Sequence, residues 1–351
     1  MPSPYADENF FRAILAKAVQ GKASDIHIKV GQPPGVRIAG EMIYFRTEKI
    51  TPEDASAVAR WVLARAATSI HLDELRERDT SYSAPGIGRF RVNVYRQRGT
   101  LAVVMRHIPV EIPDAETIGL PLPVARDLAE KPNGMVLVVG AAGHGKSTSI
   151  ASLVGHLNAT RALHIVTVED PIEFLHRDQL SSISQREVGV DTASFGAALR
   201  AALRQDPDVI FVGEIRDEET MEIALRAAET GHLVLATLHT SDAVRTVNRM
   251  LALMHGDAAE NRIRIAACLQ GVIAQRLLRR SDGSGVVLAA EVLVASQSVK
   301  DTIRKPEHNP SLKALMEKGV TPYGMQTFQM AVGALFERGL IDETTVGEAL
   351  G

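Results

Sequence analysis

Apolar positions along this chain follow two rhythms, and the change from one to the other divides it. Phe10, Ile14, Leu15 and Val19 recur at helical spacing and predict an opening helix. Ile26, Ile28 and Val30 alternate with Asp25, His27 and Lys29, the period-two pattern of a half-buried strand. Residues 58–67 read as helix, and 89–95 and 101–108 as two strands joined by a turn near Gly99. These short mixed elements predict a small α+β domain over residues 1–110. Pro109, Pro113, Pro121 and Pro123 then punctuate the chain, and 111–118 reads as a linker.

From residue 119 the pattern becomes strand and helix in alternation. Apolar runs of strand length fall at 135–139, 164–170, 208–214 and 232–239, with helical spacing at 147–158, 194–204 and 217–230 between them. Alternation of this kind predicts right-handed crossovers and a parallel-rich sheet, an α/β core over 119–256. Such a sheet gathers ligand-binding groups at the carboxyl ends of its strands. Residues 257–351 read as a mostly helical C-terminal region.

Composition narrows the class. A chain of 351 residues with a net charge of −3 and 4% aromatic residues offers neither the basic balance nor the stacking platforms of a nucleic-acid binder. Its single cysteine, Cys268, excludes an internal disulfide and a four-cysteine zinc site, and a reducing compartment is the natural reading. Residues 1–11 carry Asp7 and Glu8 and no apolar core of a secretory signal. No apolar run approaches the length of a membrane span, so membrane association is expected only through a partner.

The most informative segment is Gly140-Ala141-Ala142-Gly143-His144-Gly145-Lys146-Ser147, followed by Thr148. It is a complete phosphate-binding loop, flanked by an apolar strand and by Ile150, Leu153, Val154 and Leu157 at i, i+3, i+4, i+7. A strand that delivers the chain and a helix that leaves it bring backbone N–H groups onto phosphate. The glycines let the backbone curl around an anion; Lys146 is expected to reach the β and γ phosphates of ATP, and Ser147 to hold Mg²⁺.

Two further strands end in acids. One closes on Glu169, the other on Glu214, and one carboxylate can serve the Mg²⁺ shell while the other orients the attacking water. Spacing alone leaves open which does which. The fourth strand runs from His232 to His239. A histidine at its carboxyl end, His239, is placed to sense the γ-phosphate. Seven residues along a strand put His232 and His239 on opposite faces, which speaks against zinc. Arg89, Arg91, Arg96, Arg98 and Arg106 crowd the end of the first domain. They suit either a solvated basic face or phosphate-facing guanidinium groups.

Taken together, these segments resemble the type II/type IV secretion ATPase superfamily, most closely the twitching-motility (PilT-like) pilus retraction ATPases. The resemblance runs over nearly the whole chain. It is carried by Ala23-Ser24-Asp25-Ile26-His27, by Arg89-Phe90-Arg91-Val92-Asn93 with Arg106-His107-Ile108-Pro109, and by the acidic box Glu169-Asp170-Pro171-Ile172-Glu173. Gly213-Glu214-Ile215-Arg216-Asp217 and the histidine box from Thr230-Gly231-His232 to Leu238-His239-Thr240 complete it.

The resemblance implies a PAS-like first domain, a RecA-like P-loop ATPase core and a homohexameric ring. It implies Glu169 as the acid that polarises water, Glu214 as the acid near Mg²⁺, and Arg91 and Arg106 as arginines approaching the γ-phosphate, with His239 and His232 from the histidine box. It also implies a cytoplasmic motor, peripheral at the inner membrane, whose hydrolysis rotates one domain against the other and acts on a pilus platform protein.

This chain departs from the family at two places. The loop carries Ala141-Ala142-Gly143-His144 where the family usually has Pro-Thr-Gly-Ser, so His144 stands at the loop crest. The retraction helix Ala-Ile-Arg-Asn-Leu-Ile-Arg-Glu is echoed only by Asp301, Ile303 and Arg304 within 298–305. That keeps an accessory retraction motor, or an extension or type II secretion ATPase, as the alternative. A nucleic-acid translocase stands behind these, and a nucleotide-binding module without turnover is opposed by the retained Lys146, Ser147, Glu169 and Glu214. The missing four-cysteine element and the short N-terminal region keep the retraction branch ahead.

Overall fold

The computed structural model describes residues 4–64, 71–109 and 111–351. The chain forms two compact units. The first holds the described residues up to Glu111 together with Asp170–Leu175 and Glu187–Ala193; the second holds Ile112–Glu169, His176–Arg186 and Ser194–Gly351.

The first unit opens with α1 (Glu8–Gln20), then β1 (Asp25–Lys29), β2 (Gly35–Ile38) and β3 (Glu41–Tyr44). Helix α2 (Pro52–Leu63) and strands β4 (Glu77–Ala84), β5 (Gly88–Gln97) and β6 (Thr100–Ile108) follow. The strands form one antiparallel sheet in the order β3-β2-β1-β6-β5-β4. Helix α2 starts six residues before the expected point because Thr51 and Asp54 close a capping box and Pro52 sits in the first turn. Residues 65–67 of the expected helix lie outside the described residues. The β5–β6 turn is set by Arg98 and Gly99, both at positive φ (48° and 78°), the conformation a two-residue hairpin loop needs.

Alternation then sorts the sheet's faces. Phe90, Val92, Val94, Val103 and Met105 point into a core shared with Phe11, Leu15, Val58 and Val62. The other face carries Ser81, Arg91, Arg106 and Asp25, aligned across β4, β5, β6 and β1.

In the second unit α3 (Leu122–Ala129) leads to β7 (Gly134–Val139), α4 (Lys146–Thr160), β8 (His164–Glu169) and β9 (Ser182–Glu187). Next come α5 (Phe195–Ala202), β10 (Val209–Val212), α6 (Glu218–Glu229), β11 (Leu233–Leu238) and α7 (Ala243–Ala252). The chain ends with α8 (Ala258–Cys268), β12 (Leu269–Arg279), β13 (Val286–Val294), α9 (Gln297–Arg304), α10 (Leu312–Lys318), α11 (Phe328–Glu337) and α12 (Glu343–Leu350).

The sheet order is β13-β12-β7-β11-β10-β8-β9, with parallel pairing from β12 through to β8. Every residue of β7, β10 and β11 is buried, as expected of parallel strands covered on both faces. The expectation of a mostly helical region beyond residue 256 needs correction. Strand β12 extends the sheet beside β7, and β13 pairs antiparallel with β12. Residues 257–351 therefore share a sheet with strands β7–β11, and a compact unit with Ile112–Glu169, His176–Arg186 and the chain from Ser194. Among the described residues no helix is long and apolar enough to cross a membrane.

Candidate functional site

The loop after β7 has the geometry the sequence demanded. Gly140, Gly143 and Gly145 all take positive φ (154°, 79° and 76°). Gly140 has a second reason to lack a side chain: a Cβ there would lie 2.6 Å from the Gln275 carbonyl oxygen on β12. Gly145 is the N-cap of α4, and no side chain caps that helix. Helices α5, α6 and α7, by contrast, are capped by Ser194, Asp217 and Asp242. The first-turn N–H groups of α4, with the positive end of its dipole, thus remain available to an anion. Ala141, Ala142 and Gly143 form the exposed crest; Ser147 and Thr148 are half-buried in the first turn of α4.

Lys146 is buried, and its ammonium donates to the carbonyl oxygens of Gly140 (2.9 Å) and Ala141 (3.0 Å). It also lies 3.4 Å from Nδ1 of His239. An ammonium can only donate, so this Nδ1 accepts and the ring proton sits on Nε2. That Nε2 reaches Glu214 Oε2 at 3.0 Å. Arg216 pairs with the other carboxylate oxygen of Glu214, whose side chain is only 10% exposed. The chain Lys146–His239–Glu214–Arg216 therefore links the ends of three strands that lie side by side, β7, β11 and β10.

Glu169 ends β8, beyond β10. Its Oε1 accepts from the Thr167 hydroxyl (2.7 Å) and from the Gln185 amide (3.2 Å). Gly213 holds the two acidic strand ends together. Its N–H donates to Val168 at 2.8 Å, and a Cβ on it would come within 3.2 Å of Glu169 Cα. Glu169 and Glu214 are thus neighbours along the carboxyl edge, as expected.

His232 is a correction. It precedes β11 at its amino end, whereas the loop and His239 lie at the carboxyl end. Seven residue steps at ~3.3 Å each put roughly 23 Å between the two histidines. The His232 ring bonds the Ala227 carbonyl at the end of α6, so it is a local structural group.

The expected crest histidine also differs from its reading. His144 is half-buried, and its Nδ1 accepts the backbone N–H of Leu277 at 3.0 Å, turned toward β12. Burial, with Lys146 and Arg276 close by, lowers its pKa below the ordinary histidine value. In the first unit Arg91 and Arg106 stand directly opposite each other on β5 and β6. Arg106 pairs with Asp25 at 2.9 Å while 70% exposed, and Arg91 is exposed. Arg89, of the same group, is committed to Glu187 at 2.8 Å.

Thr167, Gln185, Arg216 and Gln275 were not singled out from the sequence as site residues. Thr167 was the most accessible of them, since a residue two before a strand-end acid shares its face. No set of three or more His, Cys, Asp or Glu that could hold a metal alone exists among the described residues.

A parallel α/β sheet whose central strand runs into a glycine-rich loop, with an internal lysine and acids at the neighbouring strand ends, defines a P-loop nucleotide-binding protein. The type II/IV secretion system protein family model matches residues 6–310, and the chain belongs to that family. The type IV pilus retraction ATPase PilT of Pseudomonas aeruginosa is 37% identical over 95% of this chain and 96% of its own length. The type IV pilus ATPase PilU of the same organism is 38% identical over 97% of this chain and 87% of its own. Among solved structures, the pilus retraction motor PilT with bound ADP superposes with a TM-score of 0.84 at 40% identity, covering 96% of both chains. The Legionella pneumophila ATPase DotB gives a TM-score of 0.82 at 28% identity over 97% of this chain and 94% of that one.

Proposed function

We propose that this chain is a Mg²⁺-dependent ATPase motor that drives type IV pilus retraction. The observation that carries the reading is the contact chain from Lys146 through His239 to Glu214 at the mouth of an uncapped helix. It stands on a fold shared with the ADP-bound retraction motor PilT. The loop's N–H groups and Lys146 bind the phosphates of ATP, and the neutral His239 ring couples Lys146 to Glu214 as charge builds on the γ-phosphate.

Mg²⁺, when bound, would supply neutralisation of the phosphate charge. The Ser147 hydroxyl and the Glu214 carboxylate are the groups of this chain that would hold it. Both Glu214 oxygens already serve Arg216 and His239, which favours contact through water. Glu169, with one oxygen oriented by Thr167 and Gln185, polarises the attacking water.

Arg91 and Arg106 are assigned to the transition-state charge on the family resemblance and on their shared sheet face. The six-stranded antiparallel sheet of residues 1–110 supports the PAS-like reading of that domain. With 111–118 as the linker, we take 119–351 as the RecA-like motor body. The working assembly is a homohexamer, cytoplasmic and held at the inner membrane by a pilus platform protein, with rotation of one domain against the other as its output.

A second reading, an accessory motor beside a main retraction ATPase, is favoured by the similarity to PilU and by the divergent α9. Two measurements test the proposal. Lys146→Ala is expected to abolish ATP binding, and Glu169→Ala or Glu214→Ala to bind ATP without turnover. A deletion strain is expected to carry excess, immobile pili; bald cells would overturn retraction, and normal turnover in both glutamate variants would overturn the site.

A further inference from the structure

The family's usual loop has serine where this chain has His144, and the structure gives the larger side chain a job. Strand β12 pairs with β7 from Leu269 opposite Met135 to Ala274 opposite Val139. There β7 ends and its chain turns into the phosphate loop, while β12 runs on to Arg279. The N–H of Leu277 has therefore lost its strand partner on that side, and His144 Nδ1 takes its place at 3.0 Å.

The loop meets the same stretch at two more points, one bonded and one closely packed. The Gln275 amide, 1% exposed as a residue, donates to the His144 carbonyl at 2.7 Å. The Gln275 carbonyl oxygen fills the space a Cβ on Gly140 would need. Because a backbone N–H can only donate, Nδ1 keeps its lone pair and the ring proton sits on Nε2. A serine hydroxyl, one bond from Cβ, stops short of the position Nδ1 occupies.

We propose that His144 is a positioning residue for the nucleotide: its imidazole extends the β7–β12 pairing into the phosphate loop and holds the loop's N–H groups in their phosphate-binding curve. The inference rests on the P-loop reading of the site. A loop hydrogen-bonded at 144 and closely packed at 140 against a strand of the central sheet reorganises less between nucleotide states. Phosphate then meets donors already aimed at it, and nucleotide leaves more slowly.

The test compares variants that differ in an acceptor at the Nδ1 position. Asparagine places its amide oxygen there; leucine has no acceptor; glutamine carries its oxygen one bond too far. Release of a fluorescent ADP analogue, chased with excess ADP in the presence of Mg²⁺, is followed by stopped flow. His144→Leu and His144→Gln are expected to speed release roughly two- to tenfold, the worth of one lost hydrogen bond. His144→Asn is expected to stay within about twofold of the unmodified chain on the same scale. Equal release from His144→Asn and His144→Gln, or no change in any variant, overturns the proposal. Failure of the unmodified chain to bind the analogue instead overturns the nucleotide reading beneath it.

Discussion

Replacing Gln185 by methionine probes whether the orientation of Glu169 matters to hydrolysis. The Gln185 amide is fixed at both ends: its oxygen accepts the His176 N–H at 2.9 Å, and its nitrogen donates to Glu169 Oε1 at 3.2 Å. The first contact decides which way the amide faces, because a backbone N–H needs an acceptor. Methionine keeps the length and removes both groups. Losing a hydrogen bond to a charged group costs about 1.5–3 kcal/mol. The 3.2 Å separation puts this one at the weak end. Expressed in the transition state, about 1.4 kcal/mol is a tenfold fall in kcat.

Thr167 holds the same oxygen at 2.7 Å, so Thr167→Val is expected to cost more. The orphaned His176 N–H adds roughly 1–3 kcal/mol of lost stability, which a thermal melt reads separately. The assay is a coupled ATPase measurement beside ADP binding. About tenfold lower kcat with ADP affinity held within twofold is the expected result. A lowered melting temperature with unchanged kcat would refute the reasoning, since it would make Gln185 a structural prop alone.

Two other outcomes follow from single groups. Burial pushes the His176 imidazole down to about 4 from 6.5, so the folded chain keeps it neutral where the unfolded chain takes up a proton. The stability it contributes is complete above pH 6.5 and is lost as pH falls toward 4. The slope in that window is at most about 1.4 kcal/mol per pH unit; melts at several pH values should show a shallower slope for His176→Phe, and identical slopes would reject the assignment. Gly213→Ala places a Cβ 3.1 Å from the Val168 carbonyl oxygen, so it should separate the ends of β8 and β10. Turnover is expected to fall while ADP binding persists, and parallel loss of both would show that the damage spreads to the loop.

The four parallel strands β7, β8, β10 and β11 were legible because strands covered on both faces are written as unbroken apolar runs. Strand β9 was not: Ser-Ile-Ser-Gln-Arg-Glu is polar at most positions and lies at the sheet edge. Strand β12 was hidden by continuity. It begins at Leu269, directly after α8 ends at Cys268, with no glycine or proline between them, and an apolar stretch of that kind satisfies either period.

The site followed the same logic. Glu169, Glu214 and His239 each close a buried run and Lys146 ends the loop that follows one, so chain order placed them at the carboxyl edge. His232 comes just before the same strand, so the same chain order puts it at the far, amino end; it entered only through the histidine-box resemblance. Gln275 had no local signal at all. Its place beside Gly140 and His144 is set by a strand more than a hundred residues away, and only the sheet order reveals it.

That sheet order also places the loop and the acids on opposite sides of β11. The loop is held from one side by β12, through Gln275 and Leu277. The acids are held from the other side. Gly213 bonds Val168, Ile215 bonds the Thr237 carbonyl, and the Thr237 hydroxyl donates back to Gly213. Strand β11 stands between these two halves, and its terminal His239 touches both, Lys146 with Nδ1 and Glu214 with Nε2. Hydrogen bonds made by the two nitrogens of one imidazole polarise one another. On the proposed function, a shift of Lys146 toward phosphate would be felt at Glu214 through this ring.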